Sequence, residues 1–97
     1  MGEVRWSVEA LADLEEIAAY IAADSPSIAA TFVERVRDSV RRLAMFPRLG
    51  RMVPELQRPH AREVIVGRYR VFYTTTDGKV EIRMIRHGSR ALPSDLG

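Results

Sequence analysis

The residues with the clearest chemical potential in this sequence are arginines, because Lys79 is the only lysine among 15 basic residues. A guanidinium suits planar, bidentate recognition of a carboxylate or a phosphate. Six arginines lie on or beside three β-like runs: Arg62, Arg68, Arg70, Arg83, Arg86 and Arg90. Tyr69, Phe72 and Tyr73 interleave with them and could stack on bases. This set fits a nucleic-acid surface, and it equally fits a solvated sheet face whose arginines pair with Glu63 and Glu81.

The two histidines, His60 and His87, precede the first and follow the last of these runs. In a plain meander they could lie at the same edge of the sheet. A metal site would need more ligands, and the sequence has no cysteine, so no metal is expected. His87 could act as a general base, yet no serine or cysteine stands in a nucleophile motif and no glycine loop would hold a phosphate. We therefore expect no cofactor and no hydrolase site.

Charge is divided unevenly along the chain, whose net charge is +2. Residues 1–40 carry three arginines against eight acids, a balance of −5, and residues 41–97 carry twelve bases against five acids, a balance of +7. No apolar stretch is long enough to span a membrane and the start lacks signal-peptide features, so a cytoplasmic location is expected. The length of 97 residues predicts a single domain over residues 1–97.

A short strand and two helices are predicted in the first half of the chain. The strand covers Glu3 to Trp6, and Ser7 is a favourable N-cap for a helix from Val8 to about Ala23. Ser25-Pro26 begins a second helix, which Pro47 ends. Apolar residues recur at spacings of three and four in both helices, and the short link between them predicts an antiparallel hairpin.

Three strands are predicted in the second half, after a loop from Pro47 to His60. They cover Ala61 to Val66, Tyr69 to Thr75 and Val80 to Arg86, and Asp77-Gly78 marks a tight turn between the last two. The result is an antiparallel meander with one face packed on the helical hairpin. We therefore predict an α+β fold in the order β-α-α-β-β-β, with the first strand at an edge of the meander.

Alternation in the last strand predicts which side chains face the helices. Val80, Ile82 and Met84 share a face opposite Glu81 and Arg83. The other side of the sheet is predicted to be polar and rich in arginine. Residues after Pro93 are predicted to form a frayed tail.

The order of motifs from residue 4 to about 91 resembles the ParE-type toxins of the RelE/ParE superfamily. The motifs that carry the resemblance include Val4-Arg5-Trp6-Ser7, Ser25-Pro26, Phe46-Pro47, Leu49-Gly50-Arg51, Tyr69-Arg70-Val71-Phe72-Tyr73 and His87-Gly88-Ser89-Arg90. The resemblance implies a toxin that a ParD-like antitoxin neutralises in a hetero-oligomer. The ParE branch poisons DNA gyrase, whereas the RelE branch cuts messenger RNA on the ribosome.

Two arginines of the RelE branch have counterparts here, since Arg70 and Arg90 match them. The rest of that ribonuclease site does not match, because Ala61, Arg62 and Glu63 stand where the ribonucleases carry lysines, and no tyrosine follows Arg90. A glutamate beside the scissile phosphate would oppose cleavage. The resemblance therefore favours a non-enzymatic gyrase inhibitor. The alternatives are a ribosome-dependent endoribonuclease that uses Arg70 and Arg90, and an inactive relative that only binds its antitoxin.

The resemblance also implies two binding surfaces. The expected target-binding residues are Arg70, Arg86, His87 and Arg90. In this family the C-terminal segment of the antitoxin wraps along the helical hairpin and the sheet. The expected contacts with it are Tyr20, Phe32, Val36, Arg68 and Arg83. An acidic, amphipathic segment that folds on binding would suit such a surface.

Overall fold

The computed structural model, which describes residues 2–89, consists of a helical hairpin packed on one face of a five-stranded sheet. In chain order the elements are β1 (Val4–Trp6), α1 (Val8–Ala22), α2 (Pro26–Met45), β2 (Arg51–Met52), β3 (Ala61–Val66), β4 (Tyr69–Thr76) and β5 (Lys79–His87). The predicted α+β class is confirmed. The expected tail and Arg90 lie outside the described residues. No helix among residues 2–89 is long and apolar enough to cross a membrane.

Both helices begin at the serines that the sequence indicates. The Ser7 hydroxyl accepts a hydrogen bond from the amide of Ala10 at 3.0 Å, and the Ser25 hydroxyl accepts one from Ile28 at 3.3 Å. Pro26 occupies the first position of α2, where a missing N–H removes no helical bond. The start signals are local, so they predict the helix boundaries well.

The sheet has the strand order β1-β5-β4-β3-β2. The predicted antiparallel meander of β3, β4 and β5 is confirmed, and β1 joins its edge as a parallel neighbour of β5. Asp77 and Gly78 both have positive φ, at 53° and 77°, as a primed hairpin turn requires. At the other end of the meander, Gly67 has a φ of 60° in the turn between β3 and β4.

Two details of the predicted sheet are wrong. The segment from Pro47 to His60 is not loop throughout, because Arg51–Met52 forms β2 and pairs with β3. The register between β4 and β5 also shifts at Phe72/Tyr73, so that one additional residue, Arg83, is accommodated in β5. Because of this bulge Met84 does not share the face of Ile82.

Apolar side chains are buried on both faces of the sheet. The main core lies between the hairpin and the sheet and includes Leu14, Val36, Leu43, Val71, Tyr73, Ile82 and Ile85. A second cluster on the opposite face, which we call the outer face, contains Val53, Phe72 and Met84 with Leu56 packed against them. The prediction of a polar, arginine-rich outer face is therefore correct only in part, because the segment after β2 folds over an apolar cluster on that face.

Candidate functional site

A partly buried cluster of ion pairs occupies the outer face, and the buried Arg70 is its centre. The Arg70 guanidinium donates through Nε to Glu63 Oε1 at 2.8 Å, and through Nη1 and Nη2 to the two oxygens of Glu55 at 2.8 Å each. Arg51 Nε donates to the second oxygen of Glu63 at 2.6 Å. We call these four residues the Arg70 cluster. Two arginines and two glutamates cancel its formal charge.

The surroundings of Arg70 reinforce these pairs. Its guanidinium carbon lies 4.7 Å from the centroid of the Phe72 ring, and only 7% of the residue is exposed. The hydrogen bonds from Arg70 lower the pKa of Glu55 from 4.5 to about 2, and the bonds to Glu55 raise the pKa of Arg70. Both groups are therefore charged at neutral pH, and most N–H donors of Arg70 are already used within the protein.

The segment that supplies Arg51 and Glu55 is held by two further side chains. The buried Tyr73 hydroxyl accepts from the amide of Gly50 at 2.9 Å and donates to the carbonyl of Pro47 at 2.8 Å. Arg62 donates to the carbonyl of Gly50 at 2.8 Å. A Cβ at Gly50 would lie 2.5 Å from the carbonyl oxygen of Glu63, so only glycine fits. Burial raises the pKa of Tyr73.

A groove of about 420 Å³ lies between α1 and the end of β5. It is lined by Asp13, Glu16, Ile17, Tyr20, Tyr69, Ile85, Arg86 and His87, and we call it the His87 groove. Asp13 accepts from Arg86 Nη1 at 2.5 Å and from the Ile85 amide at 3.0 Å. His87 Nδ1 lies 2.8 Å from the Ser89 hydroxyl, and its ring meets the edge of Tyr69 with centroids 5.4 Å apart.

The two histidines do not meet, contrary to the expectation. The carbonyl of His60 bonds the amide of Thr75, whereas His87 pairs with Tyr69. In a three-stranded meander the first and third strands run parallel, so the start of one and the end of the other lie at opposite ends of the sheet. No group of three or more His, Asp or Glu residues that could hold a metal ion occurs within residues 2–89.

The residues expected to bind the target are brought together only in part. Arg86 and His87 share the His87 groove, whereas Arg70 lies in its own cluster on the outer face. Arg90 lies outside the described residues. The alternative of a solvated face, whose arginines pair with Glu63 and Glu81, is met only in part: Arg70 pairs with Glu63, but both side chains are buried, and Arg83 lies 3.6 Å from Glu81 within the same strand.

The residues expected to bind an antitoxin divide into surface and core. Tyr20 is 76% exposed, and the side chain of Arg68 has no ion pair within the described residues. Phe32 and Val36 are buried in the main core; Val36 is fully enclosed, and Phe32 reaches the surface only at the floor of a groove that Arg68 also lines. The sequence reasoning placed them on a helical face correctly but could not tell that the sheet covers that face.

Residues that sequence reasoning missed are Glu55, Tyr73 in its hydrogen-bonding role, and Asp13. Each forms a hydrogen bond with a residue distant in the sequence: Glu55 with Arg70, Tyr73 with Pro47 and Asp13 with Arg86. The only available signal was the excess of arginine near Glu63, which indicates ion pairs without naming them. Spacing along the chain carries no information on such contacts.

The sequence is similar to those of known toxins. Residues 4–92 match the family model described as ParE toxin of type II toxin-antitoxin system, parDE. The chain is 37% identical over 90 residues to "Toxin RelE2" of Caulobacter vibrioides, which covers 93% of this chain and 99% of that protein. It is 46% identical over 48 residues to "Putative toxin Y4kP" of Sinorhizobium fredii, over 50% of each chain.

A solved structure shares the fold. The structure is described as "Chromosomal ParDE TA system from P. aeruginosa", and it superposes with a TM-score of 0.71 over 90% of this chain and 96% of that one. At 21% identity this likeness bears on the fold alone.

Proposed function

The chain belongs to the ParE family of toxins of type II toxin-antitoxin systems, and we propose that it acts without catalysis by binding DNA gyrase. A ParD-like antitoxin is its proposed partner. The proposed site of action is the cytoplasm. The toxin would arrest growth by trapping the topoisomerase on cleaved DNA.

The state of Arg70 is the observation that carries the non-catalytic proposal. Cleavage of RNA needs cationic groups that are free to stabilise the negative charge developing on the phosphate. Arg70 is instead neutralised by Glu63 and Glu55, and it is 7% exposed. An RNA phosphate would have to displace two carboxylates, whose charges have the same sign as its own. This arrangement supports binding of a protein target over ribonuclease chemistry.

The His87 groove supports a simple route to neutralisation. Tyr20, proposed to contact the antitoxin, lines the same groove as Arg86 and His87, which are proposed to contact the target. An antitoxin segment that covers Tyr20 would therefore exclude the target by occupying its site. Arg90 is retained in the proposed target surface on the family resemblance.

The test is a pair of assays on the purified protein. We expect it to inhibit plasmid supercoiling by gyrase and to cause cleaved DNA to accumulate. We expect messenger RNA on translating ribosomes to stay intact when the protein is added. His87→Ala should weaken the inhibition, and Lys79→Ala, an exposed cation at the opposite end of β5, serves as the matched control.

Three results would count against the proposal. Ribosome-dependent cleavage of messenger RNA that Arg70→Ala abolishes would establish the ribonuclease alternative. Tight antitoxin binding without either activity would identify an inactive relative. An equal effect of His87→Ala and Lys79→Ala on gyrase inhibition would remove the His87 groove from the target surface.

A further inference from the structure

Three arginines without a partner in the fold lie beside one end of the sheet. Arg35 and Arg42 belong to α2, and Arg68 lies in the turn between β3 and β4. All three are exposed, and no hydrogen bond or ion pair engages their side chains within residues 2–89. The strand arginine Arg70 differs, because two carboxylates neutralise it. The three unpaired guanidiniums are therefore available to an external anion.

The fold brings two of these arginines to one groove without a carboxylate. Arg35 crosses from α2 to the turn, since its Nη1 lies 3.7 Å from the position of a Cβ added to Gly67. Arg68 is the next residue, and both arginines line a groove of about 290 Å³ between the helical hairpin and the turn. None of the described residues that line this groove is acidic. Like charges repel, so a ligand with anionic oxygens would relieve the repulsion and use both guanidiniums.

The same basic surface continues along α2. Arg35, Ser39 and Arg42 are four and three residues apart, so they lie on one side of the helix, and they line a second groove of about 170 Å³. Asp38 also lines this groove, but it is paired with Arg41. The Ser39 hydroxyl has no hydrogen bond within the part of the chain that the structure describes. At 1.5 Å per residue the Cα atoms of Arg35 and Arg42 are about 10.5 Å apart, so their guanidiniums can engage separate anionic groups. We call this surface the Arg35 face: Arg35, Ser39, Arg42 and Arg68.

The Arg35 face adjoins the groove that is proposed to contact the topoisomerase. Tyr69 lines both the His87 groove and the groove of Arg35 and Arg68. Tyr69 also pairs with His87 across β4 and β5, so both surfaces lie at the same end of the sheet. A toxin bound through the His87 groove would therefore place the Arg35 face beside an enzyme that holds DNA.

We propose that the Arg35 face binds the phosphate backbone of the duplex DNA that the topoisomerase holds. This inference rests on the proposed function, because it takes a DNA-bound enzyme as the target. The three guanidiniums would pair with phosphates, and the Ser39 hydroxyl would donate to a phosphate oxygen. Contacts of this kind position a protein on DNA without reading its sequence.

Two features favour duplex phosphates over other anionic ligands. Single-stranded nucleic acid is bound largely by stacking of its bases on available aromatic rings. Here the Tyr69 ring already contacts the rings of Phe32 and His87, with centroids 5.2 and 5.4 Å away, and Phe32 is 7% exposed. An acidic protein segment gains little from exposed ion pairs. Duplex DNA gains more from the same charges, because each phosphate contact releases condensed counterions.

The experiment measures binding of the purified full chain to a short labelled DNA duplex by fluorescence anisotropy at increasing salt concentration. For three phosphate contacts, the plot of log K against log salt concentration should have a slope of about −2.7. Arg35→Gln and Arg68→Gln should each weaken binding about eightfold at 0.1 M salt and make the slope shallower by about 0.9. Unchanged far-ultraviolet circular dichroism is expected for both variants, because both positions are exposed.

The matched control is Arg37→Gln. Arg37 is another exposed arginine of α2 without an ion pair among the described residues, but it lies about 200° around the helix from Arg35. The same loss of charge at this position should leave the affinity for DNA within about twofold and the slope unchanged.

A second arm of the experiment adds gyrase. The double variant Arg35→Gln/Arg68→Gln should cause at least fivefold less cleaved DNA to accumulate than the wild type does. It should bind gyrase that holds no DNA as tightly as the wild type, because the His87 groove is unchanged.

The possible outcomes separate this inference from the proposed function. Gyrase inhibition by a protein that does not bind DNA, or equal losses of DNA affinity in Arg37→Gln and Arg35→Gln, overturns the inference and leaves the gyrase assignment standing. DNA binding with the expected slope but without gyrase inhibition rejects the proposed function and leaves only the DNA site. Tighter binding of single-stranded RNA than of duplex DNA overturns the inference in favour of RNA. Variants that lose affinity for the antitoxin but not for DNA overturn it in favour of an acidic protein segment.

Discussion

Replacement of Arg70 by methionine should destabilise the fold strongly, because Arg70→Met leaves the carboxylate of Glu63 buried with a single partner. The side chain of Glu63 is fully buried, and the partner that remains is Arg51, whose side chain is 61% exposed. Loss of one member of a buried ion pair typically costs about 3–5 kcal/mol. Since Arg51 still compensates part of the charge, we take the lower bound, about 3 kcal/mol. For a domain of this length that corresponds to a fall in Tm of roughly 12–24 °C.

A second substitution identifies the source of this loss. Glu63→Gln in the Arg70→Met background removes the uncompensated buried charge, so it should restore about 1–2 kcal/mol instead of adding to the damage. The control is Arg83→Met, whose side chain is 38% exposed and lies 3.6 Å from Glu81. Breaking this exposed pair should cost below about 1 kcal/mol.

The assay is thermal and urea unfolding of the four proteins, followed by circular dichroism. The reasoning is refuted if Arg70→Met melts within about 2 °C of the wild type, or no lower than Arg83→Met. It is refuted equally if the double variant Arg70→Met/Glu63→Gln is less stable than Arg70→Met alone. Growth-arrest assays on the same variants then show whether Arg70→Met loses more toxicity than its lower stability explains.

Two further predictions concern the segment that covers the outer face. Tyr73→Phe should lower the free energy of unfolding by about 2 kcal/mol, because Gly50 N–H and Pro47 C=O each lose a buried partner; an unchanged urea midpoint would contradict this. The pKa of Glu55 is lowered to about 2, so its pairing with Arg70 stabilises the fold above pH 4.5 and this contribution is lost as the pH falls towards 2. Because Glu55 is nearly half exposed, we expect at most about 1 kcal/mol, measured as the difference in unfolding free energy between wild type and Glu55→Gln from pH 6 to pH 2. A difference that persists at pH 2 would show another origin.

The elements were predictable from the sequence where their signals are local. Ser7 and Ser25 fix the helix starts through bonds to amides three residues ahead. Asp77 and Gly78 fix the hairpin turn through their own backbone angles. In each case the physical cause lies within a few residues, so the pattern in the chain is enough to locate it.

The errors arose where the cause is distant. Strand β2 has two residues and exists because Tyr73 and Arg62 hold the preceding turn against the sheet. The bulge at Arg83 depends on the register with Phe72, which no alternation within β5 reveals. The partners of Arg70 come from positions 7 and 15 residues away. A single sequence shows the excess of arginine but not which carboxylates the fold will bring to it.

The pairing of the arginines changes where the surface available to a partner lies. Residues 41–97 carry a net charge of +7, and the sequence therefore predicted that the strands form a basic face. The structure engages the strand arginines internally: Arg70 with Glu55 and Glu63, Arg86 with Asp13, and Arg62 with backbone carbonyls. Cations already paired contribute little net attraction to an incoming anion. Within residues 2–89, the side chains of Arg35 and Arg42 on α2 and of Arg68 in the β3–β4 turn have no ion pair, so an anionic partner gains more from these arginines beside the strands than from the paired arginines on them.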